Sequence, residues 1–233
     1  MKIEVITSIC GAKDSLVCDQ DWGGATWTAF LDNLQTVSTW IVKTAYNRFK
    51  DDRRNSRIHK ILIHKYSDAD ITIWIDGNIR LLVTPEHLVE KYLKDYDMAL
   101  YKHGTRNCVY DEAMTCAKLK LDDIETIIEQ AKYYEDKRWE KHKGLCEGGF
   151  IIRKNNDRTK AFNEAWWADY CRFSRRDQLS LMPALEKARV KVNIIDEKWI
   201  ANSPSTAIRA DGFVEIQSHL HNEGNWNQHE NTI

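Results

Sequence analysis

Ile71-Thr72-Ile73-Trp74-Ile75-Asp76-Gly77-Asn78-Ile79-Arg80-Leu81-Leu82 is the stretch on which the fold turns. Five apolar or β-branched residues lead straight into Asp-Gly-Asn, and a second apolar run follows. A short unbroken apolar run bounded by a turn signal reads as a strand buried on both faces. Its end presents a carboxylate and a carboxamide at a sheet's carboxyl edge, where open α/β sheets bind ligands. Two hard oxygens flanking a glycine suit a divalent cation that bridges phosphate oxygens. Asp-Gly and Gly-Asn are also strong turn formers, so a plain turn is the competing reading.

Working outward, the rest of the chain supplies alternating strands and helices. Residues 3–9 read as a first strand, ending in Thr7-Ser8-Ile9-Cys10-Gly11-Ala12-Lys13-Asp14. Those small residues let backbone approach a nucleotide, although they form neither a Walker loop nor G-x-G-x-x-G. Residues 27–31 and 40–42 are short strand candidates, the first stopping at Asp32. Residues 53–65 read as a basic helix with Ser56 as its N-cap. Ile58, Ile61, Leu62 and Lys65 share one face of it, while Arg57, Lys60 and His64 share another. Such a helix, entering the strand before Asp76, is placed to meet pyrophosphate; a solvated charged face is the alternative. Thr84 and Pro85 open a helix running to about residue 94. Residues 98–101 are a strand, followed by the polar loop His103-Gly104-Thr105-Arg106-Asn107. Residues 122–139 are helical, and Gly144 to Arg153 form a glycine-flanked strand with Glu147 at its start. Helices follow at 161–173 and from Ser174-Arg175-Arg176-Asp177-Gln178, with a late strand at 192–195. Alternation of this kind predicts an α/β sandwich around a mainly parallel central sheet flanked by helices. No linker interrupts it, so residues 1–233 read as one domain, whose tail from about 203 could close over the site.

Composition restricts the partners. The 233 residues carry 34 Lys+Arg against 35 Asp+Glu, a balance that by itself points to neither nucleic acid nor membrane. Nine Trp and nine Tyr make the chain globular rather than disordered. No run approaches the roughly 18 apolar residues of a membrane helix, and the first residues lack a leader-length apolar stretch. A cytoplasmic protein is expected. The six cysteines include no C-x-x-C pair, which argues against a zinc knuckle and, with no leader, for free thiols. Two carboxylates are candidates for chemistry. Asp177 follows two arginines at a helix start, where positive charge should keep it ionised; a capping acid is the alternative. Glu147 could act as the base or bind hydroxyls.

In that order, residues 7–14, Phe30-x-Asp32, residues 54–65, Trp74-Ile75-Asp76-Gly77-Asn78, the Glu147 to Arg153 strand and Arg176-Asp177-Gln178-Leu179-Ser180 are similar to one family. They resemble the glycosyltransferase-like domain of plant proteins linked to mucilage and cell-wall synthesis, also found in bacteria and viruses, over roughly residues 5–196. The resemblance implies a GT-A fold, a nucleotide-sugar donor, UDP-linked, and a divalent metal, Mn2+ or Mg2+. It places Thr7, Ile9, Gly11 and Asp32 around the nucleoside and Arg57, Lys60, Asp76 and Gln178 on the donor. His103, Arg106 and Arg176 fall to the sugar or acceptor. GT-A enzymes hold metal with Asp-x-Asp; here the second acid is Asn78, a weaker neutral ligand. A third ligand would be His221, whose His-x-x-Gly-x-Trp setting is similar to part of a retaining-transferase element, with His219 the alternative. The implied reaction moves a sugar onto an acceptor hydroxyl, of a saccharide, a lipid-linked sugar or a hydroxymethylated base in viral DNA (in host cytoplasm if viral). Between Lys43 and Lys65 eight Lys/Arg face two acids, a patch fit for donor pyrophosphate or for a DNA backbone. A nucleotidyltransferase and a catalytically silent nucleotide-sugar-binding module are the competing readings.

Overall fold

The computed structural model describes residues 1–20, 23–34 and 39–218. Its centre is β4 (Ile71–Ile75), buried at every position. Ile71, Ile73 and Ile75 join one apolar cluster with Val5, Ile9 and Phe150. Trp74 joins another on the opposite face, with Ile6, Phe162, Trp166 and Tyr170. Burial on both faces explains why the strand reads as a continuous apolar run rather than an alternating one.

Seven strands form the main sheet, in the order β3 (Ile41–Thr44), β2 (Thr26–Leu31), β1 (Ile3–Ile9), β4, β7 (Cys146–Lys154), β6 (Met98–Lys102) and β8 (Val192–Ile195). Neighbours pair in parallel except at β7, which runs antiparallel to both β4 and β6. The mainly parallel α/β sandwich expected from the sequence is therefore present. The reversal of β7 matters for the site. Its first residues lie at the edge where β4 ends, and the Asp76 N–H donates to the Gly149 carbonyl at 2.8 Å.

Helices α1 (Asp52–Ile61), α5 (Asp157–Arg172) and α6 (Gln178–Lys187) contribute to the cluster around Trp74. Across the sheet lie α2 (Pro85–Leu88), the π-helical turn Val89–Leu93 that continues it, and a second sheet. That sheet is antiparallel, ordered β5 (Ile79–Leu81), β11 (Val214–Gln217), β10 (Thr206–Arg209) and β9 (Trp199–Ser203). The Asp76-Gly77-Asn78 turn is thus the hinge at which the chain leaves one sheet for the other. Helices α3 (Val109–Lys118) and α4 (Ile124–Asp136) pack a third cluster with Leu179.

Some local expectations change. Asp51, not Ser56, caps α1, its side chain accepting from the Arg53 N–H at 3.0 Å. Ser56 lies within the helix and donates to the Ser8 carbonyl at 2.8 Å, tying α1 to the end of β1. The basic helix stops at Ile61, before a 3-10 turn at Ile63–Lys65. His64 leaves the face of Arg57 and Lys60 and meets Glu164 at 3.2 Å. Thr84 caps α2 as expected, and Lys94 ends the following turn at φ 33°. No described helix is long and apolar enough to cross a membrane.

Candidate active site

A cleft of about 560 Å³ opens where the carboxyl edge of the main sheet meets the second sheet. Its walls come from the end of β1, the cleft-facing side of α1, the β4–β5 turn, the start of β7, the start of α6, and the second sheet. Arg53, Arg57 and Lys60, spaced by four and three residues along α1, all line it.

At its centre two carboxylates share two cations. Lys60 Nζ lies 2.6 Å from Asp177 Oδ2 and 3.8 Å from Asp76 Oδ1. Arg57 Nε stands 3.2 Å from Asp177 Oδ2, at an angle that makes an ion pair without a hydrogen bond, and its NH2 is 3.8 Å from Asp76 Oδ2. The Trp74 indole N–H donates to Asp76 Oδ1 at 2.8 Å. Burial works against the charge on both acids, but Lys60 and Arg57 outweigh it and hold both carboxyls below their usual range. Burial likewise pushes the Lys60 ammonium down, against the pull of Asp177 and Asp76. The Lys60 side chain is 1% exposed, between the faces of Trp74 and Trp166 with Nζ 5.8 and 5.9 Å from their ring centres. Gly148 makes room for it, since a Cβ there would come within 2.9 Å of Nζ.

Asp177 occupies the cap position of α6, yet its side chain caps nothing. Its carbonyl accepts from Trp166 Nε1 at 2.9 Å, which leaves the carboxylate directed to Lys60 and Arg57. Glu147 is buried beside the same cleft. Its Oε2 is paired with the Arg209 guanidinium and accepts from Trp199 Nε1 at 3.3 Å. Arg209 is stacked over Trp199 and Tyr101, 3.8 and 4.1 Å from the ring centres. Burial raises the Glu147 pKa, with Arg209 opposing.

The structure brings most of the expected residues together. Ile9, Gly11, Arg57, Lys60, Asp76, Asn78, Glu147, Arg176, Asp177 and Gln178 all line the cleft. Asp32 lies behind the lining and accepts from the Gly11 N–H at 2.6 Å, shaping that turn where Gly11 adopts φ +70°. Thr7 is fully buried within β1 and does not line the cleft. His103 and Arg106 also fall outside the lining. The His103 Nδ1 accepts from the Thr105 and Arg106 N–H groups, and Arg106 Nε pairs with Glu112 at 2.6 Å. His219 and His221 lie outside the described residues. Arg53, Arg209, Trp199, Gln217 and Gly148 also line the cleft, beyond the residues expected there. Arg53 carried a signal, one helical turn before Arg57; Arg209 and Trp199 carried none.

The divalent metal implied by the resemblance does not fit the described donors. Hard cations need several oxygens at about 2.0–2.6 Å. The Asn78 amide Nδ2 donates to the Gln217 carbonyl at 2.8 Å, which ties the side chain to β11 and leaves only its neutral Oδ1 to offer a cation. Both acids already face cations, and a divalent ion a few ångströms from Lys60 would be repelled by about 8 kcal/mol at an effective dielectric of 20. Elsewhere, Cys108, Asp111 and His142 bring ligand atoms within 4.8 Å of one another, but none of them lines the cleft.

Comparison with known proteins adds a family. Residues 25–201 match the TOD1/MUCI70 glycosyltransferase-like domain. The chain is 28% identical over 175 residues to a probable hexosyltransferase, MUCI70, of Arabidopsis thaliana. That match covers 70% of this chain but 30% of the relative, so the chain spans less than a third of the curated protein it resembles. Among solved structures, the WbbM bifunctional glycosyltransferase is 9% identical with a TM-score of 0.48, covering 84% of this chain and 38% of that one. Mouse xyloside xylosyltransferase 1 is 8% identical with a TM-score of 0.44, covering 84% of each chain. The A197 protein from STIV is 11% identical with a TM-score of 0.42, covering 94% and 95%. Likenesses this loose carry no weight for function.

Proposed function

The chain belongs to the TOD1/MUCI70 glycosyltransferase-like domain family, and from that premise we propose that it transfers a sugar from a nucleotide-sugar donor to an acceptor hydroxyl. The carrying observation is the row Arg53, Arg57 and Lys60 on one side of α1, with Arg57 and Lys60 paired to Asp76 and Asp177 within a cleft at the sheet's carboxyl edge. In the reaction, the bond from the sugar's anomeric carbon to the diphosphate oxygen breaks and its electron pair leaves on that oxygen. A new bond forms from the acceptor oxygen to the anomeric carbon, and the acceptor proton passes to a base. Arg53 and Arg57 offer charge-assisted hydrogen bonds to the departing diphosphate, whose neutralisation is the main electrostatic task. The donor is proposed to be UDP-linked, in a GT-A-type arrangement of one domain working in the cytoplasm.

The two acids divide the remaining work. A base performs best when its pKa lies near the working pH. Asp177, held ionised by its cations, is suited to stabilising positive charge at the sugar carbon. Glu147, whose pKa burial raises, is the better proton acceptor. A saccharide acceptor is favoured over a DNA base, because three of the α1 cations, Arg53, Arg57 and Lys60, line the cleft. The test is a melting-temperature screen of sugar nucleotides, followed by donor hydrolysis and transfer to saccharide and hydroxymethylated-DNA acceptors. Binding with turnover supports transfer. Binding without turnover under any acceptor identifies a silent binding module, and turnover of a nucleoside triphosphate with a sugar phosphate identifies a nucleotidyltransferase.

A further inference from the structure

We propose that Lys60, with Arg57, occupies the position a divalent ion would otherwise fill, so that this cleft binds and discharges its nucleotide donor without metal. The inference rests on the sugar-transfer reading for its substrate, but on the geometry of the free protein for its argument. Two carboxylates at a sheet edge require a positive charge between them, or they repel. Here that charge belongs to the chain. Lys60 Nζ reaches both acids, at 2.6 and 3.8 Å, and Arg57 reaches both from α1, at 3.2 and 3.8 Å.

Three further features fix the lysine in place. Its carbonyl accepts from Arg153 NH2 at 3.0 Å, anchoring the end of α1 to β7. Two indole faces flank its ammonium. Gly148 withholds the Cβ that would displace it. The residue that would complete an Asp-x-Asp pair is Asn78, and its amide nitrogen is bonded to the Gln217 carbonyl. Lys60 and Arg57 line the cleft beside Arg53 and Arg176, so the diphosphate oxygen that receives the electron pair meets protein cations on one wall. A structural ion pair alone would explain Lys60 and Asp177, but not a second acid and a second cation arranged around the same point.

The experiment measures Mn2+ binding to the free protein by calorimetry, UDP affinity with chelator and with Mn2+, and donor turnover under both conditions. Expected are no stoichiometric Mn2+ binding and UDP affinity and turnover that agree within about twofold in the two buffers. Lys60→Met removes the charge at nearly constant length. It should weaken UDP binding at least tenfold in chelator, and the uncovered Asp76 and Asp177 should then bind Mn2+. The proposal is overturned if the unaltered protein binds one Mn2+, or loses tenfold in UDP affinity or turnover on chelation. If that Mn2+ affinity disappears in His221→Ala, the carboxyl-terminal segment supplies the ligand. Should no nucleotide bind in either buffer, the sugar-transfer reading fails and the donor half of this proposal with it, while the Mn2+ titration of the free protein still decides whether Lys60 and Arg57 take the cation's place. Where Lys60→Met does not fold, the chelation and Mn2+ measurements on the unaltered protein decide alone.

Discussion

Asp177 and Glu147 carry opposite perturbations in the same cleft, and each invites a conservative substitution. Glu147→Gln should lower transfer about a hundredfold, the scale of losing a general base, while UDP affinity changes little. If transfer persists within about fivefold, the base lies elsewhere. Asp177→Asn leaves the α6 cap intact, because the side chain caps nothing. It should also lower turnover, and its melting temperature should fall and then recover with UDP, whose phosphates replace the lost charge beside Lys60 and Arg57. A fall that UDP does not recover would assign Asp177 to folding alone. Asn78→Asp separates two roles. As a metal ligand it should gain from the new charge, but its Nδ2 donates to the Gln217 carbonyl. We expect Asp to set two oxygens against each other, lower the melting temperature and leave Mn2+ binding absent; Mn2+ binding that appears would favour the ligand role. Asp76 was legible in the sequence because an acid at the end of a buried run has no packing reason to be there. Arg209 was not, since a lone arginine in a polar stretch gives no sign that it will stack on Trp199 and Tyr101.

Among the elements, α1 and β7 decide the site. The pairing of Arg57 with Lys60 follows from helical spacing alone, so two of the three members of the cation row could be read from the chain. Its burial could not, because a run of charge looks the same whether it meets water or carboxylates. β7 was legible as a strand but not as a reversed one; direction depends on α3 and α4 returning the chain to the carboxyl edge, and α3 was not anticipated. Reversal places Gly148 and Gly149 against Lys60 and Asp76. Gly148→Ala should therefore act on the ammonium, 2.9 Å from the new Cβ, and weaken UDP binding several-fold with modest loss of stability. Gly104→Ala, where a Cβ meets Glu147 Oε1 only at 4.0 Å, is the control expected to bind UDP normally. Equal losses in both would mean that glycine flexibility, not room for Lys60, is what matters.

For the molecule as a whole, acid sensitivity should come from two buried imidazoles outside the cleft. Burial pushes His59, stacked on Phe30, down to about 3. Burial also pushes His103 down to about 4, Glu112 opposing and Arg106 assisting. Both are neutral in the folded chain and protonate in the unfolded chain below about 6.5. Stability should be complete above that pH and fall as pH drops toward 4, each histidine contributing up to about 1.4 kcal/mol per pH unit. The carboxyls of Asp76 and Asp177, held low, should add their loss only below the ordinary aspartate range. Denaturant titrations between pH 7 and 4.5 check this: His59→Gln should reduce the slope, and an unchanged slope would locate the acid response elsewhere. The main sheet was readable because β1 and β4 at its centre are buried at every position and read as continuous runs. The second sheet was not, since β9 to β11 are short and half-exposed, and it is β11 that joins them to the distant β5. That distance has a consequence for how the protein comes into being. The cleft draws on residues from Ser8 to Gln217, so a nascent chain that has emerged through α6 still lacks the arginine that neutralises Glu147. Ligand capture must then await synthesis of the second sheet, and a nucleotide at a hundred times its dissociation constant would protect the fold by about 2.7 kcal/mol. Resistance to protease should therefore rise along the whole length when donor is added, rather than at the cleft alone.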